Sequence, residues 1–342
     1  MTDTTTTTTA PGGAPQRPAL AASARPTRAM AVDRLMAVTV RAAAGFSILV
    51  VALVVIFLAT KAAPVFTNPA IGAKQFFTTF EWQPDLASAS GGFGGDIPGN
   101  TATFGALTPI VASLELVFLA LIIAVPVALS LALVLEETDP VIGRRFLRPA
   151  VEIFVGIPSV VYGYLGFTVL LPLLKPLAAR PGGDGSGVLA AAIVLAIMVV
   201  PTIATISADG IRSVPRSLKE ASLALGATRW QTMYKVQLPA SRATIVSGVV
   251  LGLARAMGEA LAVALVIGRV NIAPEFQKYG LKALIEASTT MTVTITDNVQ
   301  NIAILPEATA ARYMLSLVLL AITFICIVTV RFLNRRAPQV VG

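Results

Sequence analysis

The chain has 342 residues, of which 55% are hydrophobic and only 13% are charged, and its mean hydropathy is +0.79. Soluble domains carry about 25% charged residues, so this composition excludes an ordinary soluble domain and is typical of a membrane protein. The single cysteine, the lack of histidine and the lack of a G-x-x-x-x-G-K-[ST] stretch exclude an intrachain disulfide, histidine-based catalysis and a P-loop ATPase site, and we expect no metal or cofactor.

The N-terminal 41 residues are predicted to form a disordered, basic, cytoplasmic tail. The first 30 positions are rich in Thr and then in Pro, Ala and Arg, and such a segment buries too little apolar surface to offset its ordering entropy. The first apolar run begins near Ala42, and it is too far along the chain and too long for a signal peptide. We interpret it as an uncleaved first membrane span.

Six apolar segments are long enough to cross a bilayer, which takes about 20 residues. Backbone polar groups inside lipid must be satisfied within the segment, so the spans are helices. The sequence predicts an all-α polytopic membrane protein with a permease domain at 42–335 and spans at 42–60, 109–134, 151–174, 188–207, 245–267 and 313–332. With the N-terminus inside, 17 of the 26 lysines and arginines lie in inner segments and seven lie in outer loops. This bias predicts that both termini face the cytoplasm, so the net charge of +8 reflects topology and no nucleic-acid partner is expected.

The outer loop at 61–108 contains four aromatic residues ahead of a Gly-rich stretch. These are Phe76, Phe77, Phe80 and Trp82. They are expected either to anchor the chain in the outer headgroup layer of the membrane lipid or to contact an extracytoplasmic partner.

The predicted cytoplasmic loop at 208–244, called here the coupling loop, contains two short helices. Ser217 and Glu220 have the spacing of a capping box, and Gly226 ends that helix because glycine tolerates the left-handed conformation. Thr228 and Gln231 repeat the capping box, and Pro239 is expected to end the second helix. The apolar faces are formed by Leu218, Ala221, Ser222 and Leu225, and then by Trp230, Met233 and Tyr234. Such a surface inserts into the groove of a partner or lies on the membrane.

Two charged residues, Arg255 and Glu259, lie near the middle of the fifth predicted span. An arginine at that depth costs about 2.5–3.5 kcal/mol on insertion scales, and Glu259 follows at the i+4 spacing of one helical face. The two residues form either a self-neutralising pair or part of an anion path. For an anion path, Arg255 suits a tetrahedral oxyanion, and Glu259 could accept a hydrogen bond from protonated phosphate, which fully deprotonated sulfate cannot offer.

The coupling loop resembles the EAA loop of bacterial ABC importer permeases. The resemblance is carried by Glu220-Ala221-Ser222, Gly226, Val236 and Leu238-Pro239, with Ser222 where alanine is common. Three further stretches are similar to the PstC-type permeases of phosphate-specific (Pst) ABC importers: Phe104 to Ile110, Gly156 to Gly163, and Arg255 to Val263. The departures are Ala260 in place of Thr, Ala112-Ser113 in place of Gly-Thr, Arg269 in place of Asn, and an unexpected Glu115, interpreted as a carboxylate that snorkels to the interface.

This resemblance implies the type I ABC importer permease fold in the bacterial cytoplasmic membrane and a phosphate permease without enzymatic activity of its own. It implies three partners: a second, PstA-type permease subunit, a cytoplasmic PstB-type ATPase dimer and an extracytoplasmic PstS-type phosphate-binding protein. Together with the reading of the two short helices, it predicts that the residues that couple to the ATPase are Ser217, Glu220, Ala221, Gly226, Trp230, Val236, Leu238 and Pro239. The alternatives are an ABC permease for another oxyanion and, from a different class, a secondary anion transporter.

Overall fold

The computed structural model describes residues 27–68, 71–83, 103–137, 143–178, 183–270, 280–297 and 306–335. Most of these residues are helical. The α-helices are α1 Thr27–Ala62, α2 Pro64–Thr67, α3 Ala73–Thr78, α4 Leu107–Glu137, α5 Arg148–Gly156, α6 Ser159–Leu165, α7 Leu171–Leu174, α8 Val188–Arg212, α9 Arg216–Ala224, α10 Arg229–Thr232, α11 Leu238–Gly258, α12 Leu261–Val266, α13 Met291–Thr296 and α14 Pro306–Arg335. Three π-helical turns, Gly143–Leu147, Gly166–Leu170 and Met233–Gln237, precede α5, α7 and α11, and 3-10 turns lie at Lys175–Leu177 and Gly280–Ile285. Strands β1 Trp82–Gln83 and β2 Thr103–Phe104 pair antiparallel.

The predicted number of spans is confirmed. Six helical segments of the described residues are long and apolar enough to cross a membrane. They are Val32–Thr67, Leu107–Glu136, Ser159–Leu177, Val188–Arg212, Arg229–Gly258 and Pro306–Phe332. We refer to them as spans one to six.

The predicted disordered tail is wrong for residues 27–41. Helix α1 begins at Thr27 and runs without a break into span one. The stretch from Thr27 to Arg41 contains no glycine or proline, and Ala, Arg, Met and Leu, which are good helix formers, make up nine of its 15 residues. The predicted disorder of residues 1–26 lies outside the described residues. The chain divides into two compact units at Val54 and Val55, and the features below belong to the second.

Span four forms the centre of the second unit. It packs along span two on one side and along span five on the other. Small residues allow the close approach: an alanine recurs every four residues on span two at Ala120, Ala124 and Ala128, all of them buried. A Cβ added at Gly252 of span five would lie 2.7 Å from Ile203 of span four. Such contacts stabilise helix pairs in lipid, where apolar surface alone gives little preference for a neighbouring helix.

The third and fifth predicted segments differ from the observed spans because the helix is broken in each. In the third predicted segment, α5 ends at Gly156, and Ile157 and Pro158 are extended before α6 begins. A residue before proline is biased toward the extended region, and proline lacks an N–H donor. In the fifth predicted segment, α11 ends at Gly258 and Glu259 is extended before α12. The segments predicted at 151–174 and 245–267 are therefore each two helices, and span five begins much earlier, at Arg229.

The segment that follows span one builds a small aromatic core. The side chains of Phe76, Trp82 and Phe104 are at most 2% exposed, with ring centroids 6.4 Å apart from Phe76 to Trp82 and from Trp82 to Phe104 in edge-on contacts. Pairing of β1 with β2 holds Trp82 opposite Phe104. Interfacial anchoring is thus wrong for Phe76 and Trp82, because they pack on each other, and it stays a prediction for the exposed Phe77 and Phe80.

Candidate coupling surface and substrate path

The turn at the centre of the coupling loop has the predicted backbone conformation. Helix α9 is followed by Gly226 with φ of +84°, in the left-handed region where glycine is favoured. The Thr228–Gln231 capping box is also confirmed: the N–H of Gln231 donates to Thr228 Oγ1 at 3.2 Å, and the N–H of Thr228 donates to Gln231 Oε1 at 2.9 Å. The loop is therefore a helical hairpin, and its second arm begins with a capping box in which both hydrogen bonds are formed.

Two predicted boundaries of the coupling loop are wrong. Ser217 and Glu220 form no capping box, because Pro215 occupies the N-cap position and places Ser217 inside the first turn of α9. Pro239 does not end the second helix. It lies in the first turn of α11 after the π-helical turn Met233–Gln237, where the missing N–H is tolerated. The second arm of the hairpin consequently runs without a break into α11 and forms the first part of span five.

The hairpin presents apolar side chains to its surroundings. Leu225 is 90% exposed and Trp230 is 62% exposed, and the rings of Trp230 and Tyr234 lie 6.0 Å apart. The two arms are joined by a hydrogen bond between the hydroxyls of Ser222 and Thr232 at 3.0 Å. Among the other predicted coupling residues, Ser217, Glu220, Ala221 and Pro239 are exposed and Val236 and Leu238 are half-buried. The hairpin therefore carries an exposed apolar tip, and a hydrogen bond holds its two arms together.

Arg255 and Glu259 do not form the self-neutralising pair that their spacing suggested. Nη1 of Arg255 donates to Thr202 Oγ1 of span four at 3.4 Å. Oε1 of Glu259 accepts from the N–H of Ala262 at 3.1 Å, and the Glu259 carbonyl accepts from Thr292 Oγ1 at 2.9 Å. The i, i+4 rule fails because α11 ends at Gly258 and Glu259 leaves the helical face. Arg255 is a half-buried cation with no acidic partner among the described residues.

The structure brings together the two span motifs that the sequence singled out. Gly163 of α6 packs directly on α12, where an added Cβ would lie 2.8 Å from the Ala262 Cα. The adjacent Tyr162 donates its hydroxyl hydrogen to the Phe154 carbonyl across the break between α5 and α6 at 2.7 Å. Helices α6 and α12 therefore lie side by side, next to Glu259 and one turn from Arg255.

Arg269 and Glu115 are the two departures that the structure explains in part. Arg269 has φ of +54°, a conformation in which asparagine is several-fold enriched, and its guanidinium contacts the Ala264 carbonyl at 3.3 Å and Asp297 at 3.7 Å. Glu115 is half-buried and borders an apolar cavity of about 420 Å³, with Oε2 buried and without a hydrogen-bond partner. In the described part of the chain, no three acidic or cysteine side chains converge as metal ligands.

Sequence reasoning missed a group of ion pairs at the ends of spans two and four. Nη2 of Arg148, in α5, lies 2.8 Å from Asp209 Oδ1, and its Nη1 lies 3.9 Å from Glu136 Oε1. Nε of Arg212 lies 4.0 Å from Glu136 Oε2. The hydrogen bond with Asp209 raises the pKa of Arg148 above its usual range. Only the i, i+4 pair of Arg148 with Glu152 could be read from the sequence, because the other partners come from separate spans.

The comparisons with known proteins agree with this architecture. Residues 124–338 match the family described as "Binding-protein-dependent transport system inner membrane component". The "Probable ABC transporter permease protein YqgH" of Bacillus subtilis is 37% identical over 83% of this chain and 84% of its own length. A "Phosphate transport system permease protein PstC" of Pasteurella multocida is 36% identical over 64% of this chain and 72% of its own length. The solved structure of a bacterial ABC transporter for alginate import aligns over 89% of this chain and 99% of that chain, with 16% identity and a TM-score of 0.50, and supports the fold alone.

Proposed function

Since this chain belongs to the binding-protein-dependent ABC permease family of inner-membrane components, we propose that it carries inorganic phosphate across the cytoplasmic membrane, driven by a separate ATPase subunit. The chain is a multi-pass inner-membrane protein of bacteria with a type I permease fold. PstC-named relatives at 34–36% identity support phosphate as the substrate. The observation that carries the proposal in the structure is that Arg255 forms no ion pair with any acidic side chain of the described residues.

Arg255 supports an anion path because no described acidic residue pairs with its charge. A guanidinium inside a membrane span is costly unless it pairs or has a function, and its described hydrogen bond is to the neutral hydroxyl of Thr202. The planar fork of donors suits the oxygens of a tetrahedral anion. Phosphate that passes along this part of the permease would meet this cation.

Glu259 is proposed to distinguish phosphate from fully deprotonated oxyanions by accepting a hydrogen bond from the phosphate hydroxyl. We expect Glu259→Gln to assemble normally, because the amide oxygen can still accept from the Ala262 N–H. The second carboxylate oxygen, which would accept a hydrogen bond from the phosphate hydroxyl, becomes an amide donor, so the preference for phosphate over sulfate should fall. Competition of sulfate with radiolabelled phosphate uptake measures this. An unchanged preference would show that Glu259 only caps α12.

The coupling loop supports an ATP-driven mechanism. We infer that the exposed tip around Gly226 docks into a cleft of the PstB-type ATPase dimer and that both termini of the permease domain face the cytoplasm. Because α10 continues into span five through the π-helical turn, a push on the hairpin tilts span five directly. A PstA-type permease completes the path, and a PstS-type protein delivers phosphate from outside. Nucleotide drives the cycle only if it has different affinities for the two states.

The proposal is tested by reconstituting the chain with its three partners in proteoliposomes. We expect phosphate uptake that requires ATP and the binding protein and that is not displaced by molybdate or phosphonate. Stronger competition by another oxyanion would reassign the substrate within the family. Uptake that survives ATP depletion would favour a secondary anion transporter instead.

A further inference from the structure

The ion pairs at the ends of spans two and four form one connected group, the inner-end cluster, made of Glu136, Arg148, Asp209 and Arg212. Glu136 belongs to the last turn of span two, whereas Asp209 and Arg212 belong to the last turn of span four. Arg148 stands at the start of α5, which leads into span three. One guanidinium therefore ties the end of span four to the end of span two and the start of α5, which lie about 60 residues earlier in the chain.

The cluster is more than a solvated surface pair. The Glu136 side chain is only 7% exposed and the Arg148 side chain is 26% exposed. Charged pairs in such sites are screened less by salt than exposed pairs are, and removing one partner leaves a buried charge uncompensated. Removal of Arg148 would leave Glu136 with Arg212 at 4.0 Å. The arrangement of these three helix ends thus depends on Arg148.

The cluster also borders the coupling loop. A cavity of about 510 Å³ is lined on one side by Glu136 and Arg212 and on the other by Arg216, Lys219, Glu220 and Leu223 of α9. Only Ser213, Val214 and Pro215 separate span four from α9. A displacement of α9 is therefore passed to Arg212 through a linker of only three residues. Arg212 and Arg148 both contact the carboxylate of Glu136.

We propose that Arg148 is a positioning residue that transmits movement of the coupling loop to the ends of spans two, three and four. The inference rests on the proposed ATP-driven transport. It assigns a role to a residue outside both the coupling loop and the substrate path. Arg148 keeps the three helix ends moving as one body when the ATPase pushes α9, so that ATP hydrolysis produces transport.

The test is the amount of phosphate taken up per ATP hydrolysed by the reconstituted complex. We expect Arg148→Gln to assemble with its partners and hydrolyse ATP while this ratio falls roughly tenfold, within the usual range of coupling between sites. Glu152→Gln is the matched control. It removes the exposed partner of the same arginine within α5, 58% exposed, and should leave the ratio at the wild-type value.

A conservative replacement separates coupling from mere stability. Arg148→Lys keeps a cation beside Glu136 and Asp209, and its ratio should lie well above that of Arg148→Gln. The inference is overturned if Arg148→Gln keeps the wild-type ratio, if Glu152→Gln lowers it equally, or if Arg148→Lys is as uncoupled as Arg148→Gln in assembled complexes. If Arg148→Gln does not assemble, Asp209→Asn decides, because it removes the nearest partner of Arg148 at 2.8 Å, and a wild-type ratio in that variant overturns the inference. ATP-independent uptake by the wild-type complex would instead contradict the proposed function.

Discussion

Replacing Gly163 by alanine is expected to abolish most transport, because the added methyl group has no room. The new Cβ would lie 2.8 Å from the Cα and 2.9 Å from the carbonyl oxygen of Ala262 and 2.8 Å from Leu265 Cδ1. Two of these atoms are backbone and cannot rotate away, so α6 and α12 must separate. Overpacking of this kind costs about 1–3 kcal/mol. Thermal unfolding of the purified complex and ATP-dependent phosphate uptake measure the two consequences.

Gly156 supplies the control from the same motif. A Cβ added there meets no atom within 4 Å, so Gly156→Ala should unfold at the wild-type temperature and retain uptake. The comparison separates the general effect of alanine in this motif from the specific contact at Gly163. Wild-type stability and uptake in Gly163→Ala would mean that α6 and α12 do not pack as described. Equal losses in both variants would point to the motif's backbone rather than to this contact.

The spans could be predicted from sequence because hydrophobic length depends on composition alone. The breaks within the third and fifth predicted segments could not be placed in the same way. Pro158 marks the first break, but the second occurs at Glu259, where Gly258 weakens the helix and the carboxylate accepts from Ala262 after the chain has turned. That turn also separated Arg255 from Glu259. Periodicity assumes a continuous helix, so it misplaces side chains beyond a break.

In the coupling loop, residue spacing alone also failed to predict where each short helix begins. Thr228 and Gln231 formed their cap because the preceding residues leave Thr228 free to take an extended conformation, with ψ of 161°. Ser217 and Glu220 have the same spacing, but Pro215 starts the helix before Ser217. The inner-end cluster escaped prediction for a different reason. Arg148 and Asp209 are 61 positions apart, and only the packing of spans brings them together.

Replacing Gly226 by valine is expected to uncouple the chain from its ATPase, and this is the sharpest test of the proposed docking surface. The backbone at Gly226 has φ of +84°, a conformation that costs other L-residues roughly 1–2 kcal/mol and is a genuine outlier for a β-branched residue. Nothing lies within 4 Å of an added Cβ, so the effect comes from the backbone and not from a clash. The turn should open and misdirect Leu225 and Trp230, and the ATPase should no longer co-purify with the permease.

Asparagine at the same position is the matched control, because it adopts the left-handed conformation more readily than other side chains. Gly226→Asn should therefore keep both the bound ATPase and ATP-dependent uptake, although it also adds a side chain at this position. Quantitative co-elution of the ATPase with each variant, at equal amounts of folded permease, gives the answer. If the valine variant retains the ATPase as fully as the asparagine variant, the angle at Gly226 does not set the docking geometry, and the exposed tip of the hairpin must be assigned to another contact.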